Sequence, residues 1–330
     1  MKALVLGASG FVGRRVLERL GPERGVGAFA SRPIAGGIRF LAGQDRFADV
    51  LSQLPGDLTH VFILYGAIDP ERCARDWDGT AAINIDSVLD VAGECFRQGL
   101  TPVFFSSDYV FPGSRGFWSE DDDLAPVTAY GRQKAAVETW LARQSRPWLV
   151  VRLSKVVSDR QEPQNILWEW VRNIRDGQRI RCATDQVLCP LVAEDAAGVS
   201  VDLVESGATG PFNVAGPEAF TRMALLRLLL THVVARAPGV HADVVPCRLR
   251  DLPFSEERPV DTSLDISKLQ RAVGWSFAPM TSLCASLASQ VWGSGDLKAP
   301  ASSGGAGPEF PSAPDSPGAH IHGTSGDQLG

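Results

Sequence analysis

The chain has 330 residues, with 32 Lys and Arg against 38 Asp and Glu, for a formal net charge of −6. Apolar residues make up 44% of it and charged residues 21%, near the average for globular proteins, which excludes a wholly disordered chain. With no basic excess, there is no global field to attract nucleic acid or an anionic membrane.

The first apolar run, Ala3 to Leu6, spans only four residues before Gly7. A secretory core needs roughly 7–15 apolar residues and a membrane span about 20, so neither is expected there and a cytoplasmic location is predicted. Residues 3–6 are predicted as a buried strand, followed by a Gly-rich turn and a helix over 11–19. Further strands are predicted over 25–30, 60–65, 102–106 and 148–152. They are short and almost continuously apolar, the pattern of a parallel sheet covered on both faces. Helical spacing of apolar residues recurs between them, over 46–54, 80–97 and 129–143. Strand and helix in alternation predict an α/β fold, a Rossmann-like doubly wound parallel sheet.

Beyond Arg152 the pattern loosens. Helices are predicted over 165–176, 193–205 and 221–234, with short strands over 179–182, 211–214 and 242–246, forming a smaller C-terminal lobe. Trp170 is predicted as core; Trp168 is better read as packing than as a ligand contact. From Gly293 to Gly330, 20 of 38 residues are Gly, Pro or Ser, which predicts a disordered tail. His320 and His322 lie in it and are read as incidental. The six cysteines (Cys73, Cys95, Cys182, Cys189, Cys247, Cys284) show no C-x-x-C pair. They are read as buried reduced thiols, and no metal ligands are assigned.

The turn after the first strand reads Gly7-Ala-Ser-Gly10-Phe-Val-Gly13. Gly7 permits a tight turn, Gly10 a close approach of backbone to a pyrophosphate, and Gly13 close packing of helix on strand. The helix N-terminus then offers free N–H groups and a partial positive charge. Gly7, Ser9, Gly10, Phe11, Val12 and Gly13 are therefore candidate dinucleotide contacts. The second strand ends Ala30-Ser31-Arg32, with no acid for a ribose 2′-hydroxyl. Ser31 and Arg32 suit a 2′-phosphate, so NADP(H) is favoured over NAD(H). Residues 1–152 are expected to be mainly the NADP-binding domain and 153–292 mainly the substrate-binding lobe, with the chain free to cross between them.

Tyr130 and Lys134 stand at i and i+4 at the start of a predicted helix, on one face. A cation beside a phenol lowers its pKa by about 1–3 units, bringing proton exchange nearer neutrality. Ser107 ends the 102–106 strand 23 residues before Tyr130, and its hydroxyl suits a developing oxyanion. Ser106 is the alternative hydroxyl. Asp108, Tyr109 and Phe111 are read as shaping the loop.

The spacing G-x-x-G-x-x-G and the order Ser107, Tyr130, Lys134 resemble the extended branch of the short-chain dehydrogenases/reductases. The segment Ser106-Ser-Asp-Tyr-Val-Phe111 resembles the S-T-D-Y-V-F of the dTDP-4-dehydrorhamnose reductase family, with Ser107 at the Thr position. Further echoes are Asn84, Arg152-Leu-Ser154, Asp185-Gln186, Pro190, Asp195, Asn213-Val-Ala-Gly216 and Arg258-Pro259, over residues 1–290. The resemblance implies a nucleotide-sugar-like substrate, with Ser107, Tyr130 and Arg258 as substrate contacts. It also implies that Lys134, Tyr130, Ser106 and Asn84 lie near the cofactor. Three positions depart from the family pattern. Lys155 replaces an aromatic, Leu188-Cys189 replaces small residues, and Asp261 stands near an expected Asn. All lie in the substrate-facing half.

The implied activity is NADPH-dependent reduction of a keto-sugar nucleotide. A sugar-nucleotide epimerase or dehydratase of the same superfamily, and a non-catalytic NADP-binding regulatory subunit, remain as alternatives. A homodimer is left open.

Overall fold

Strand β1 (Ala3–Leu6) is fully buried, every residue at 0% exposure, as its unbroken apolar run requires. The computed structural model describes residues 1–54, 56–162 and 165–293. The expectations for the tail, His320 and His322 included, lie outside the described residues apart from Gly293.

Around β1 are arranged β2 (Gly25–Phe29), β3 (Ile38–Arg39), β4 (His60–Ile63), β5 (Thr101–Ser107) and β6 (Leu149–Leu153). Together with Gly210–Val214 they form a seven-stranded sheet, all parallel, in the order Gly210–Val214, β6, β5, β4, β1, β2, β3. The chain leaves β1 in one direction toward β2 and β3 and later resumes on the other side with β4. That reversal opens a crevice at the carboxyl ends of β1 and β4, where open α/β sheets bind ligands.

Helices cover both faces. One face holds α1 (Phe11–Leu20) against Val5, Phe62, Phe105 and Val151. The other holds α2 (Phe47–Leu51), α5 (Ser87–Arg97) and α6 (Ala129–Leu141) against Leu4, Leu6, Ile63 and Phe104. Between β4 and α5 lie the short α3 (Pro70–Arg75) and α4 (Trp77–Ala81). Asp69 caps α3 by accepting from the Glu71 N–H at 3.0 Å, with Pro70 in the first turn. The single helix expected over 80–97 is interrupted by a π-helical turn at Ala82–Asp86. Such wide turns recur at functional sites, and this one carries Asn84.

The second layer of helices comprises α7 (Ile166–Arg175), α9 (Arg222–Arg236) and α11 (Met280–Trp292). They bury Leu167, Trp170, Leu226, Leu229, Cys284 and Leu287 in a core of their own, on which Trp168 packs half-buried. Helix α11 lies outside the predicted elements, although Met280, Leu283, Cys284 and Leu287 follow helical spacing.

The strand expected over 211–214 does not belong to this lobe. Gly210–Val214 pairs with β6 as the edge of the main sheet, and α8 (Ala193–Glu205), just before it, packs on α1. Helix α10 (Ser267–Val273) also returns, placing Leu269 in that layer. Phe212 and Val214 are apolar enough for either partner, and only assembly chooses. All six cysteines are free, five of them buried and Cys247 half-buried. No described helix is long and apolar enough to cross a membrane.

Candidate active site

The turn after β1 is built as its glycines require. Gly7 adopts φ +84°, and a Cβ there would meet the Leu64 backbone at 2.9 Å. A Cβ on Gly13 would stand 2.2 Å from the Gly7 carbonyl oxygen, so α1 packs directly on the turn. Gly10 is the N-cap of α1 and has no capping side chain, so the first-turn N–H groups are left for a ligand. These features fit a dinucleotide pyrophosphate. Ser9, Phe11 and Val12 are half-buried along the same turn.

At the end of β2, Ser31 and Arg32 are exposed. Arg39 of β3 lies opposite Phe29 on the same carboxyl edge. A shallow groove of about 390 Å³ runs there, lined by Arg39, Asp45 and Arg46. None of the three arginines forms an ion pair within 4.0 Å among the described residues. The sequence points to Arg32 but not to Arg39 or Arg46, because β3 has only two residues.

Ser107 closes β5 at its carboxyl end, buried, with extended backbone. Its hydroxyl donates to Asp108 Oδ1 at 2.8 Å and accepts from the Tyr109 N–H at 3.2 Å. Thr128 caps α6 by accepting from Gly131 N–H at 3.0 Å, which sets the first turn and with it Tyr130. Tyr130 is half-buried and edge-on to Tyr109, with ring centroids 6.1 Å apart. Lys134 is buried one turn on. Its ammonium donates to the Phe105 carbonyl at 2.8 Å and stands 4.7 Å from the Phe104 ring centroid and 5.8 Å from that of Tyr130. The three predicted residues therefore meet at one sheet edge. Ser106, one residue earlier, has a buried hydroxyl with no partner among the described residues.

The electrostatics differ from the sequence expectation. Burial pushes the Tyr130 phenol up, and Asp108 and Cys73 push it further; the neighbouring Ser107 hydroxyl opposes them. Lys134 does not draw it down: it is lowered while Tyr130 is raised, so the ammonium loses its proton before the phenol does. Lys134 is itself lowered to about 8 by burial, with Glu138 opposing. Asp108, read from the sequence as a loop residue, is a buried carboxylate raised to about 6 by desolvation. The hydrogen bond from Ser107, the nearby Thr262 hydroxyl and the charge of Lys155 hold it from rising further. Its signal in the sequence is an acid set between Ser107 and the aromatic Tyr109, directly after an apolar strand.

A family model described as RmlD substrate binding domain matches residues 1–291. The chain belongs to that family. It is a member of the extended short-chain dehydrogenases/reductases of the dTDP-4-dehydrorhamnose reductase kind, a family of oxidoreductases acting on sugar nucleotides. It is 27% identical over 287 residues to a probable low-salt glycan biosynthesis reductase of Haloferax volcanii, covering 84% of this chain and 93% of that one. It is 26% identical to the dTDP-4-dehydrorhamnose reductase of Burkholderia thailandensis, covering 84% and 96%. The structure of a Bacillus anthracis dTDP-4-dehydrorhamnose reductase in complex with NADP superposes with a TM-score of 0.73 at 18% identity, covering 86% and 98%.

Several family echoes make hydrogen bonds or ion pairs within the protein. Asn84 is 1% exposed, in the π-helical turn. Its carbonyl accepts from Ala67 N–H at 2.8 Å, and its amide donates to Ala67 O at 2.9 Å and Gln133 Oε1 at 2.7 Å. It fixes the 65–67 loop at the end of β4 and ties it to α6. Arg152 is paired with Glu138 through two bonds, at 2.9 and 2.8 Å, both groups buried. Asp195 accepts from Trp275 Nε1 and Ala278 N–H, and Asn213 donates to the Trp118 and Asp265 carbonyls. Arg258 is 6% exposed, paired with Glu71 and stacked 4.9 Å from the Phe254 centroid; its Nη1 is buried with no partner.

Proposed function

We propose that this chain is an NADPH-dependent reductase of a keto-sugar nucleotide, using Ser107, Tyr130 and Lys134. The observation that carries the reading is the convergence of Ser107, Tyr130 and Lys134 beside the uncapped, glycine-lined start of α1. A bound nicotinamide dinucleotide supplies the hydride. Gly7, Ser9, Gly10, Phe11, Val12 and Gly13 hold its pyrophosphate at the helix N-terminus. Ser31 and Arg32 hold a 2′-phosphate, which favours NADP(H) over NAD(H). Ser106 and Lys134 face the ribose, and Asn84 positions the loop around it.

Tyr130 holds the proton that reaches the substrate oxygen as the carbonyl carbon accepts hydride. Its raised pKa keeps the phenol protonated at neutral pH, as a general acid requires. Ser107 donates a hydrogen bond to the same oxygen while charge grows on it. Arg258, with one free nitrogen, suits the substrate diphosphate. Residues 1–152 serve mainly the cofactor and 153–292 mainly the substrate.

Replacing Tyr130 by Phe removes the proton and keeps the ring. The expected result is loss of NADPH oxidation with keto-sugar nucleotides, with NADPH fluorescence titration unchanged. Retained turnover would refute the mechanism. Wild-type affinity for NADPH with no turnover on any keto-sugar nucleotide would favour the non-catalytic subunit.

A further inference from the structure

The first turn of α6 carries Tyr130, and its backbone is held from two sources. Thr128, fully buried, accepts from the Gly131 N–H at 3.0 Å. The second source is Glu256, 127 residues beyond Ala129 in the chain. Both of its carboxylate oxygens accept from the Ala129 N–H, at 3.0 and 2.9 Å, and Oε1 also accepts from Arg132 Nη2 at 2.9 Å. The amides on either side of Tyr130 are thus both capped, one locally and one from a distant segment. First-turn amides have no partner within their own helix, and a carboxylate there is also favoured by the helix dipole. The turn is packed tightly below as well: a Cβ on Gly131 would stand 2.1 Å from the Tyr109 carbonyl oxygen.

Glu256 lies in a segment, residues 252–260, that is neither helix nor strand. The segment is nonetheless anchored on both sides of Glu256. The Ser255 N–H donates to Glu71 Oε2 at 3.0 Å, and Arg258 pairs with Glu71 Oε1, so α3 holds it twice. Farther on, the Asp261 N–H donates to the Gly113 carbonyl at 3.0 Å, and a Cβ on Gly113 would stand 2.3 Å from the Pro259 Cβ. Glu256 is therefore held at its backbone by contacts other than its own. Its side chain is 18% exposed and that of Arg132 47%, so the ion pair between them adds little. The bonds to the Ala129 amide are the ones that fix backbone beside Tyr130.

We propose that Glu256 is a positioning residue for Tyr130: by holding the Ala129 amide it fixes the turn that aims the phenol at the substrate oxygen. This rests on the reductase reading above. Without Glu256 only the Thr128 cap remains, and the first amide of α6 is released. A shift of about 1 Å in a reacting group can cost on the order of 100-fold in rate, so a small movement of this turn is enough to matter. Arg258, two residues on, keeps its own anchor on Glu71, so the loss falls on the phenol and not on the diphosphate contact.

The test compares Glu256→Ala, Glu256→Gln and Arg132→Gln in the full chain. Glu256→Ala truncates a partly exposed side chain and leaves both cores intact. It should lower kcat at least about tenfold, with KM for the keto-sugar nucleotide and affinity for dTDP within about twofold of wild type. Glu256→Gln keeps an acceptor oxygen for the Ala129 N–H and should restore kcat to within about threefold. Arg132→Gln breaks the ion pair and leaves the amide capped, so kcat should stay within about twofold. A second readout needs no turnover. The chain has three tyrosines, Tyr65, Tyr109 and Tyr130, so labelling tyrosine Cζ with carbon-13 gives three NMR signals, of which Tyr130→Phe identifies one. With NADP⁺ bound, Glu256→Ala should shift or broaden the Tyr130 signal and leave that of Tyr65 in place. An unmoved Tyr130 signal overturns the proposal. Equal loss of kcat in Glu256→Ala and Arg132→Gln also overturns it, as does a parallel loss of dTDP affinity, because either result makes Glu256 a clasp between segments. Absence of wild-type turnover on any keto-sugar nucleotide refutes the reductase reading, and the tyrosine signals then decide the positioning role alone.

Discussion

Asp108→Asn should stabilise the protein at neutral pH and not in acid. The carboxyl is 5% exposed and raised from 3.8 to about 6, chiefly by desolvation. A folded-state pKa above the unfolded one means that the folded chain binds the proton more tightly. Stability is therefore lost as pH rises through the window from about 4 to about 6. Roughly two units at ~1.4 kcal/mol each make the cost of ionisation about 3 kcal/mol, absent below the window and complete above it. Asparagine keeps an oxygen to accept from Ser107 and removes the charge. Its new amide N–H group, if left unpaired, costs about 1 kcal/mol at every pH. The net expectation is about 2 kcal/mol of stabilisation at pH 8 and about 1 kcal/mol of destabilisation at pH 4. Urea denaturation of both proteins at the two pH values measures it. The offset from the amide cancels in the difference between them, which isolates the ionisation. A variant effect that is the same at pH 4 and pH 8 would show that Asp108 is solvated or fully neutralised by Lys155, and the desolvation reasoning would fail.

Gly13→Ala drives a Cβ to within 2.2 Å of the Gly7 carbonyl, backbone against backbone with no flexible atom to yield. Affinity for NADPH should fall at least about tenfold, read by fluorescence titration, because the turn that meets the pyrophosphate must shift. Glu138→Ala leaves the Arg152 guanidinium buried without its carboxylate and should cost about 3–5 kcal/mol in denaturant unfolding. Glu138→Leu combined with Arg152→Met removes both charges and should recover most of that loss. Arg32→Gln should raise the KM for NADPH about tenfold and leave that for NADH within about twofold. An equal effect on both cofactors would place Arg32 outside the 2′-phosphate contact and turn attention to Arg39 and Arg46.

Features set by near neighbours in the chain are legible from the order of residues alone. The apolar runs at Ala3–Leu6, Val61–Ile63 and Leu149–Val151 are strands because nothing polar interrupts them. The turn from Gly7 to Gly13 follows from steric limits that apply within seven residues. Tyr130 and Lys134 share a helix face by periodicity. Short elements escape for the same reason: β3 and α3 give too few residues for a period to show. The Gly210–Val214 strand is legible as a strand, but its expected place in the smaller lobe is wrong. Its sequence is apolar enough for either layer, and its partner, β6, lies some 60 residues earlier.

Local chemistry along the chain dictates the alternation of strand and helix, the dinucleotide turn and the order of Ser107, Tyr130 and Lys134. How those groups ionise is a property of the assembled fold. Tyr130 is raised because α6 buries it beside Asp108 and Cys73, which arrive from β5 and α3. Asp108 is raised to about 6 because the fold buries it, and Thr262 and Lys155, some 150 and 50 residues away in the chain, hold it from rising further. Lys155 is lowered by burial and by Arg222, which lies some 70 residues later in the chain. Desolvation and Coulomb energy depend on distance through space, which spacing along the chain does not record.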